Sequence, residues 1–219
     1  MAVQDPIRQA RRADADYARL APVYDEATRW IDLARAAAVD RLAPQPGETV
    51  ADIACGTGFC LPALVQAVGP AGTVIGVEPS RAMLAHARSR TVTYANVLLV
   101  ESRAQNARLA AAPDALLFSF AHDVLQSRAA LEGILAQAKP GARVVAVGAK
   151  FFPWCLAPRN IWFLAGERGY VTNYRGFWRP WRYLAAYLDE FEVQSLSPGN
   201  KYLAIGRVRT TLKSARGKV

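Results

Sequence analysis

Val50-Ala51-Asp52-Ile53-Ala54-Cys55-Gly56-Thr57-Gly58 is the stretch whose reading decides the fold. Residues 49–54 form a short apolar run bounded by glycines, the pattern of a buried strand. The run ends in a turn with two glycines, and a helical pattern follows over residues 59–68, closed by Gly69-Pro70. Glycine at such a turn permits left-handed backbone angles and lets a ligand approach the main chain closely. Open α/β sheets bind ligands at the carboxyl ends of their strands. A purely structural turn would carry the same two glycines, so the loop needs a partner elsewhere in the chain.

That partner stands one strand further on. Residues 73–77 read as a second strand closed by Glu78, 20 residues after Gly58. In dinucleotide folds an acidic side chain at this spacing accepts hydrogen bonds from ribose hydroxyls. A solvent-facing Glu ahead of a helix N-terminus is the plain alternative. The alternation continues with a helix at 80–89, a strand at 96–100, a strand at 114–120 behind Pro113, a helix at 127–138 ended by Pro140-Gly141, and a strand at 142–148. Helical connections between apolar, non-alternating strands predict a parallel sheet covered on both faces. Upstream, residues 4–20 and 25–43 suit helices, the second with Trp30, Ile31, Leu33, Ala34, Ala37, Ala38 and Leu42 as its apolar stripe. Downstream, residues 150–182 are rich in aromatic rings, Pro and Arg. A helix is expected over 180–188 and a strand pair over 192–196 and 201–208, around a turn at Ser197-Pro198-Gly199-Asn200.

A chain of 219 residues suffices for one domain with a full core. Residues 1–45 would form an N-terminal helical lid, 46–150 the core, 150–182 an insert and 209–219 a basic tail. Residues 1–16 are too polar for a secretory signal. The apolar stretch 144–166 is broken by Lys150, Pro153, Pro158 and Arg159, so no membrane span is expected. Cys55, Cys60 and Cys155 lack metal-site spacing and read as free thiols of a cytoplasmic protein, with no metal. The net charge of +9 is uneven: residues 151–219 hold eleven basic and four acidic side chains. That bias favours an anionic partner, whether an acidic substrate, a lipid head group or nucleic acid, although charged runs are commonly just solvated.

These motifs resemble those of class I S-adenosylmethionine-dependent methyltransferases. Residues 52–58, DIACGTG, look like the family's first motif, and residues 76–84, GVEPSRAML, like the next. Residues 138–148, AKPGARVVAVG, are similar to its strand-five segment, and residues 17–25, YARLAPVYD, to openings in the quinone and phospholipid methyltransferase branch. The resemblance spans about residues 15–208. It implies a Rossmann-like, doubly wound, mostly parallel seven-stranded sheet with an antiparallel last strand, and S-adenosylmethionine as cofactor. By the same resemblance Asp52 holds the methionine ammonium, the backbone of Ala54, Gly56 and Gly58 lines the cofactor, Glu78 binds the ribose, and Pro79 and Met83 border the adenine. Two positions depart from the family pattern. Ala54 replaces a common glycine, and Ser102-Arg103-Ala104-Gln105 has no carboxylate where the adenine amino group usually finds one. Arg103 and Ala104 are the cofactor contacts expected there.

A sulfonium methyl is already activated, so the protein must hold a nucleophile in line and exclude water. His122 and Asp123 follow strand four, where the family places substrate-side residues. His122 is the candidate base, its alternative a capping or carbonyl-bonded histidine, and Asp123 an orienting partner or helix cap. His86, mid-helix, is expected at the surface. Tyr17 and Tyr24 belong to the lid; Tyr24 would touch the cofactor and Tyr17 the substrate, unless both simply pack the helix on the sheet. Phe120, Trp154 and Arg175 are the other substrate-side candidates, with Arg159, Arg179 and Arg182 as further walls of a site for an aromatic or anionic acceptor. The acceptor is expected to be a small or lipid-like molecule with an O, N or C nucleophile. The basic, aromatic C-terminal third also suits an anionic membrane surface. Two other readings compete. Nucleic-acid methylation draws on the charge, but no Asn/Asp-Pro-Pro-aromatic motif follows strand four. A cofactor-binding protein with lost or altered catalysis draws on the missing acidic residue at Arg103.

Overall fold

The computed structural model describes residues 19–152, 156, 158–160, 176–196 and 199–210. The described chain forms one seven-stranded sheet in the order β3-β2-β1-β4-β5-β7-β6. The strands are β1 Thr49–Ile53, β2 Thr73–Glu78, β3 Val97–Glu101, β4 Ala115–Ser119, β5 Arg143–Ala149, β6 Leu188–Leu196 and β7 Lys201–Val208. β1 to β5 are mutually parallel, and β7 runs antiparallel between β5 and β6. Strand order reverses between β1 and β4, so the carboxyl ends of these two strands flank the crevice where open α/β sheets bind ligands.

Helices cover both faces, and each strand divides its side chains between them. Val50, Val74, Leu117 and Val145 pack with α2 Asp32–Leu42, α3 Leu61–Val68 and α4 Arg81–Thr91. Ala51, Ile53, Ile75, Phe118 and Val144 face the other way, onto α6 Arg128–Leu135 and the buried Leu184, Tyr187 and Tyr202. Two short turns, α1 Tyr24–Ala27 and α5 His122–Leu125, complete the helical set named here. Capping follows the sequence. Ser80 accepts from the Met83 amide at 3.4 Å and Ser127 from the Ala130 amide at 3.2 Å, and Pro62 stands in the first turn of α3, where its missing N–H costs nothing.

Three expectations are corrected. The predicted helix 25–43 is interrupted, with α1 followed by a 3-10 turn at Arg29–Ile31 before α2. The β-branched Thr28 donates both its amide, at 2.9 Å, and its hydroxyl, at 2.7 Å, to the Tyr24 carbonyl, which closes the first turn locally. The helix expected from residue 59 begins at Leu61. The helix expected over 180–188 is a 3-10 turn, Leu184–Tyr187, and β6 already starts at Leu188. Its two buried residues, Leu184 and Tyr187, lie three apart, the repeat of a 3-10 turn. The predicted helix 4–20 falls outside the described residues except for Arg19 and Leu20, which are helical, as does most of the basic tail. Among the described residues no helix is long and apolar enough to cross a membrane.

Candidate active site

A cavity of about 260 Å³ opens at the carboxyl ends of β1, β2, β3 and β4. Two left-handed, non-glycine residues stand at the ends of neighbouring strands and line it: Ala54 after β1, with φ 58°, and Phe120 after β4, with φ 54°. Each such residue costs on the order of 1 kcal/mol or more, a strain characteristic of functional sites.

The two glycines of the loop do different work. A Cβ at Gly56 would meet no atom within 4 Å, so this residue faces open space on the cavity wall. A Cβ at Gly58 would stand 3.1 Å from the Ala87 Cα and 2.9 Å from the Leu61 side chain. Gly58 therefore lets α4 pack tightly on the loop, and it does not line the cavity. Glu78, 7% exposed, is tied to both neighbours: its Oε2 accepts from the Gly56 amide at 3.1 Å and its Oε1 from the Ser80 amide at 2.8 Å. The carboxylate thus fixes the loop's position at the wall of the cavity.

Asp52 lies behind the loop, 1% exposed and outside the cavity lining, and its Oδ1 has no hydrogen-bond partner. Burial pushes its carboxyl up to about 7, against the pull of the Arg35 guanidinium, with Glu78 adding to the rise. A buried acceptor left without a donor is costly, and a cation brought to it would restore its charge. Arg35 itself is buried on α2. It donates to Asp32 at 3.0 Å and to the Thr28 hydroxyl at 3.3 Å, and its guanidinium lies 4.9 Å from the Phe59 ring and 5.8 Å from the Tyr24 ring. Sequence reading passed over Arg35. Its signal was an arginine on the buried stripe, four residues from both Ile31 and Val39.

On the other side of Glu78 the cavity is walled by Pro79, Met83, Ser102, Arg103, Ala104 and Gln105. Met83 is buried, and the Ser102 amide donates to the Glu78 carbonyl at 3.2 Å, which joins the ends of β2 and β3. The opposite end is built by the residues after β4: Ser119, Phe120, His122 and Asp123. Half-buried His122 opens α5, and its ring centroid lies 4.4 Å from that of Phe177, a 1%-exposed residue of the insert. Phe151 lies 5.5 Å from Phe177 and 5.1 Å from Trp178, and the Gln126 side chain donates to the Pro180 carbonyl at 2.8 Å. The described part of the insert is therefore packed against the β4 side of the cavity. Nothing in the sequence pairs Phe177 with His122.

Of the residues expected from sequence, Tyr24, Ala54, Gly56, Glu78, Pro79, Met83, Arg103, Ala104, Phe120, His122 and Asp123 share this one cavity. Tyr17, Trp154 and Arg175 lie outside the described residues. His86 is exposed. Burial raises the thiols of Cys55 and Cys60, the latter to about 12, so both stay protonated. Cys155 lies outside the described residues. Among the described residues no cluster of His, Cys, Asp and Glu could hold a metal ion.

Residues 50–141, the segment that carries β1 to β4 and most of this cavity, match the family model described as a methyltransferase domain. Over this segment the chain is similar to the class I S-adenosylmethionine-dependent methyltransferases. A 2-phytyl-1,4-naphtoquinone methyltransferase of Nostoc punctiforme is 26% identical over 195 residues, covering 80% of this chain and 81% of that protein. The corresponding protein of Trichormus variabilis is 35% identical over 81 residues, 35% of each chain. A transposon-borne protein of Streptomyces fradiae is 45% identical over 53 residues, only 15% of its length. The chain thus spans about a third or less of these last two relatives. Solved structures share the fold. A SAM dependent methyltransferase from Aquifex aeolicus superimposes with TM-score 0.62 at 18% identity, over 87% of this chain and 98% of the other. The N-methyltransferase NodS from Bradyrhizobium japonicum does so with TM-score 0.57 at 15%, over 84% and 98%.

S-adenosylmethionine is the cofactor of that family, and the β1 and β2 side of the cavity suits its chemistry. A buried carboxylate with an unpaired oxygen suits an ammonium, a carboxylate at the end of β2 suits paired hydroxyls, and the apolar Pro79 and Met83 suit a flat base.

Proposed function

We propose that this chain transfers the methyl group of S-adenosylmethionine to an oxygen, nitrogen or carbon nucleophile on a small, ring-bearing acceptor. The observation that carries the reading is that Glu78 and His122 wall one continuous cavity, so a donor held at β1 and β2 faces an acceptor held after β4. Asp52 would take the methionine ammonium, Glu78 the ribose, and Pro79, Met83, Arg103 and Ala104 the base. When bound, the sulfonium supplies a methyl carbon whose bond to sulfur breaks as the bond to the nucleophile forms. Phe120, Tyr24 and the Phe177-backed His122 orient the acceptor ring and exclude water. His122 accepts the proton that the nucleophile loses.

The Nostoc punctiforme relative, whose name places its acceptor among naphthoquinones, supports a planar, lipid-like ring as the substrate class. The net charge of +9 supports an acceptor or surface of negative charge. A cytoplasmic enzyme that meets such acceptors at a membrane face accommodates both. The test is calorimetry with S-adenosylhomocysteine, followed by turnover over hydroxylated naphthoquinones, catechols and, as contrast, RNA. The reading expects micromolar binding and methylation of ring acceptors; no heat with the homocysteine product, or methylation of RNA alone, contradicts it.

A further inference from the structure

Next to the cavity-lining Tyr24 stands a residue with no assigned role. Asp25 joins three elements distant in sequence: the Thr57 hydroxyl donates to its Oδ1 at 2.6 Å, and the Arg90 guanidinium, from the last turn of α4, donates to its Oδ2. Thr57 lies between Gly56 and Gly58 and is 1% exposed, so its hydroxyl is held in a fixed direction by the loop. Arg90 also lies 5.8 Å from the Phe59 ring. The Arg35 guanidinium, bonded to Thr28 and Asp32 of the same N-terminal stretch, lies 4.9 Å from the Phe59 ring beside the loop.

We propose that Asp25 is a positioning residue for the donor site: by accepting from Thr57 and Arg90 it seats Tyr24 against the cavity and couples closure of the N-terminal segment to the glycine loop. The inference rests on the function proposed above and adds the device that closes the site. The side chains of Arg90 and Asp25 are 28% and 38% exposed, and ion pairs so placed contribute little to global stability. The energy of this contact therefore shows in where the segment sits. With Asp25 docked on Thr57, Tyr24 is held over the bound cofactor and slows its departure.

The experiment measures S-adenosylhomocysteine affinity by calorimetry, ligand-free Tm, and amide hydrogen exchange of residues 19–31, in the full chain. Asp25→Ala and Thr57→Val should each raise Kd about tenfold, and the double variant should bind no more weakly than Asp25→Ala alone, because both remove one contact. Thr57→Ser, which keeps the hydroxyl, should stay within about twofold of the parent Kd. Ligand-free Tm should move by no more than about 2 °C, as for a surface pair. The homocysteine product should slow exchange of residues 19–31 in the parent and not in Asp25→Ala. Unchanged Kd in Asp25→Ala, losses that multiply in the double variant, a Thr57→Ser chain as weak as Thr57→Val, a large Tm loss, or slowed exchange that survives in Asp25→Ala each overturns the inference and leaves the methyltransferase reading standing. A parent chain that binds no homocysteine product overturns both.

Discussion

The two halves of the cavity are built in different ways. The donor half is local: a strand, a turn and a helix start bring Ala54 and Gly56 to the wall, and Glu78 closes the next strand, pinned to the turn by the Gly56 amide. The acceptor half is assembled from afar. His122 follows β4, while the ring packed on it, Phe177, comes from beyond β5, 55 residues later. Donor binding should therefore depend on a few backbone-linked residues, whereas acceptor orientation depends on packing between distant segments.

Substitution of His122 should separate the halves most sharply. His122→Ala removes the proposed base and should lower kcat by about 10² to 10⁴. Its Kd for S-adenosylhomocysteine should stay within about twofold, because the residue stands away from Glu78 and Asp52. Steady-state kinetics beside calorimetry checks this, and a matching loss of cofactor affinity would break the division between halves. Glu78→Ala should do the converse. It removes two backbone partners and the proposed ribose acceptor, so Kd should rise about 10²-fold or more, two charge-assisted hydrogen bonds being worth about 3 kcal/mol or more together.

The third prediction uses Asp52. Its carboxyl is raised to about 7, and an ammonium ligand prefers the ionised form. Affinity for the homocysteine product should therefore improve as pH rises from about 5.5 to 7, by up to about tenfold per unit, and level off near the pH of about 8 at which the ligand's own amine deprotonates. Asp52→Asn should flatten that profile. The same shift has an opposite sign for stability. The folded chain keeps this proton up to about pH 7 while the unfolded chain releases it near 3.8, so stability from this group falls as pH rises through that window. Asp52→Asn should accordingly raise Tm at pH 7.5 relative to the parent, read by calorimetric scans at several pH values. The smallest effect concerns Ala54. At φ 58° it sits where glycine is relaxed, and Ala54→Gly should stabilise the chain by about 1 kcal/mol without weakening cofactor binding, as urea melts would report.

The same division explains what was legible in the sequence. The succession of strands and helices, the turn after β1 and the place of Glu78 at the end of β2 were readable because period, punctuation and spacing act over 20 residues or fewer. Roles fell apart where tertiary contact decides them. Gly56 and Gly58 look equivalent as letters, yet Gly56 faces open space and Gly58 is pressed against Ala87. Glu78 reads as a ligand acceptor and proves also to brace the loop. The contacts of Asp25 with Thr57 and Arg90 join residues 32 and 65 positions apart and leave no trace in any local pattern. Residues 180–188 carried a helical composition, but burial of Leu184 and Tyr187 three residues apart imposed a tighter turn. The buried Arg35 could have been found, since a charge on an apolar stripe calls for a partner.

The central claim is tested most directly by a crystal structure of the chain with S-adenosylhomocysteine bound. The account predicts ribose hydroxyls on the Glu78 carboxylate, the amino group beside Asp52, and the sulfur facing the His122 side of the cavity. An adenosyl group bound away from Glu78, or a sulfur turned from His122, would contradict it.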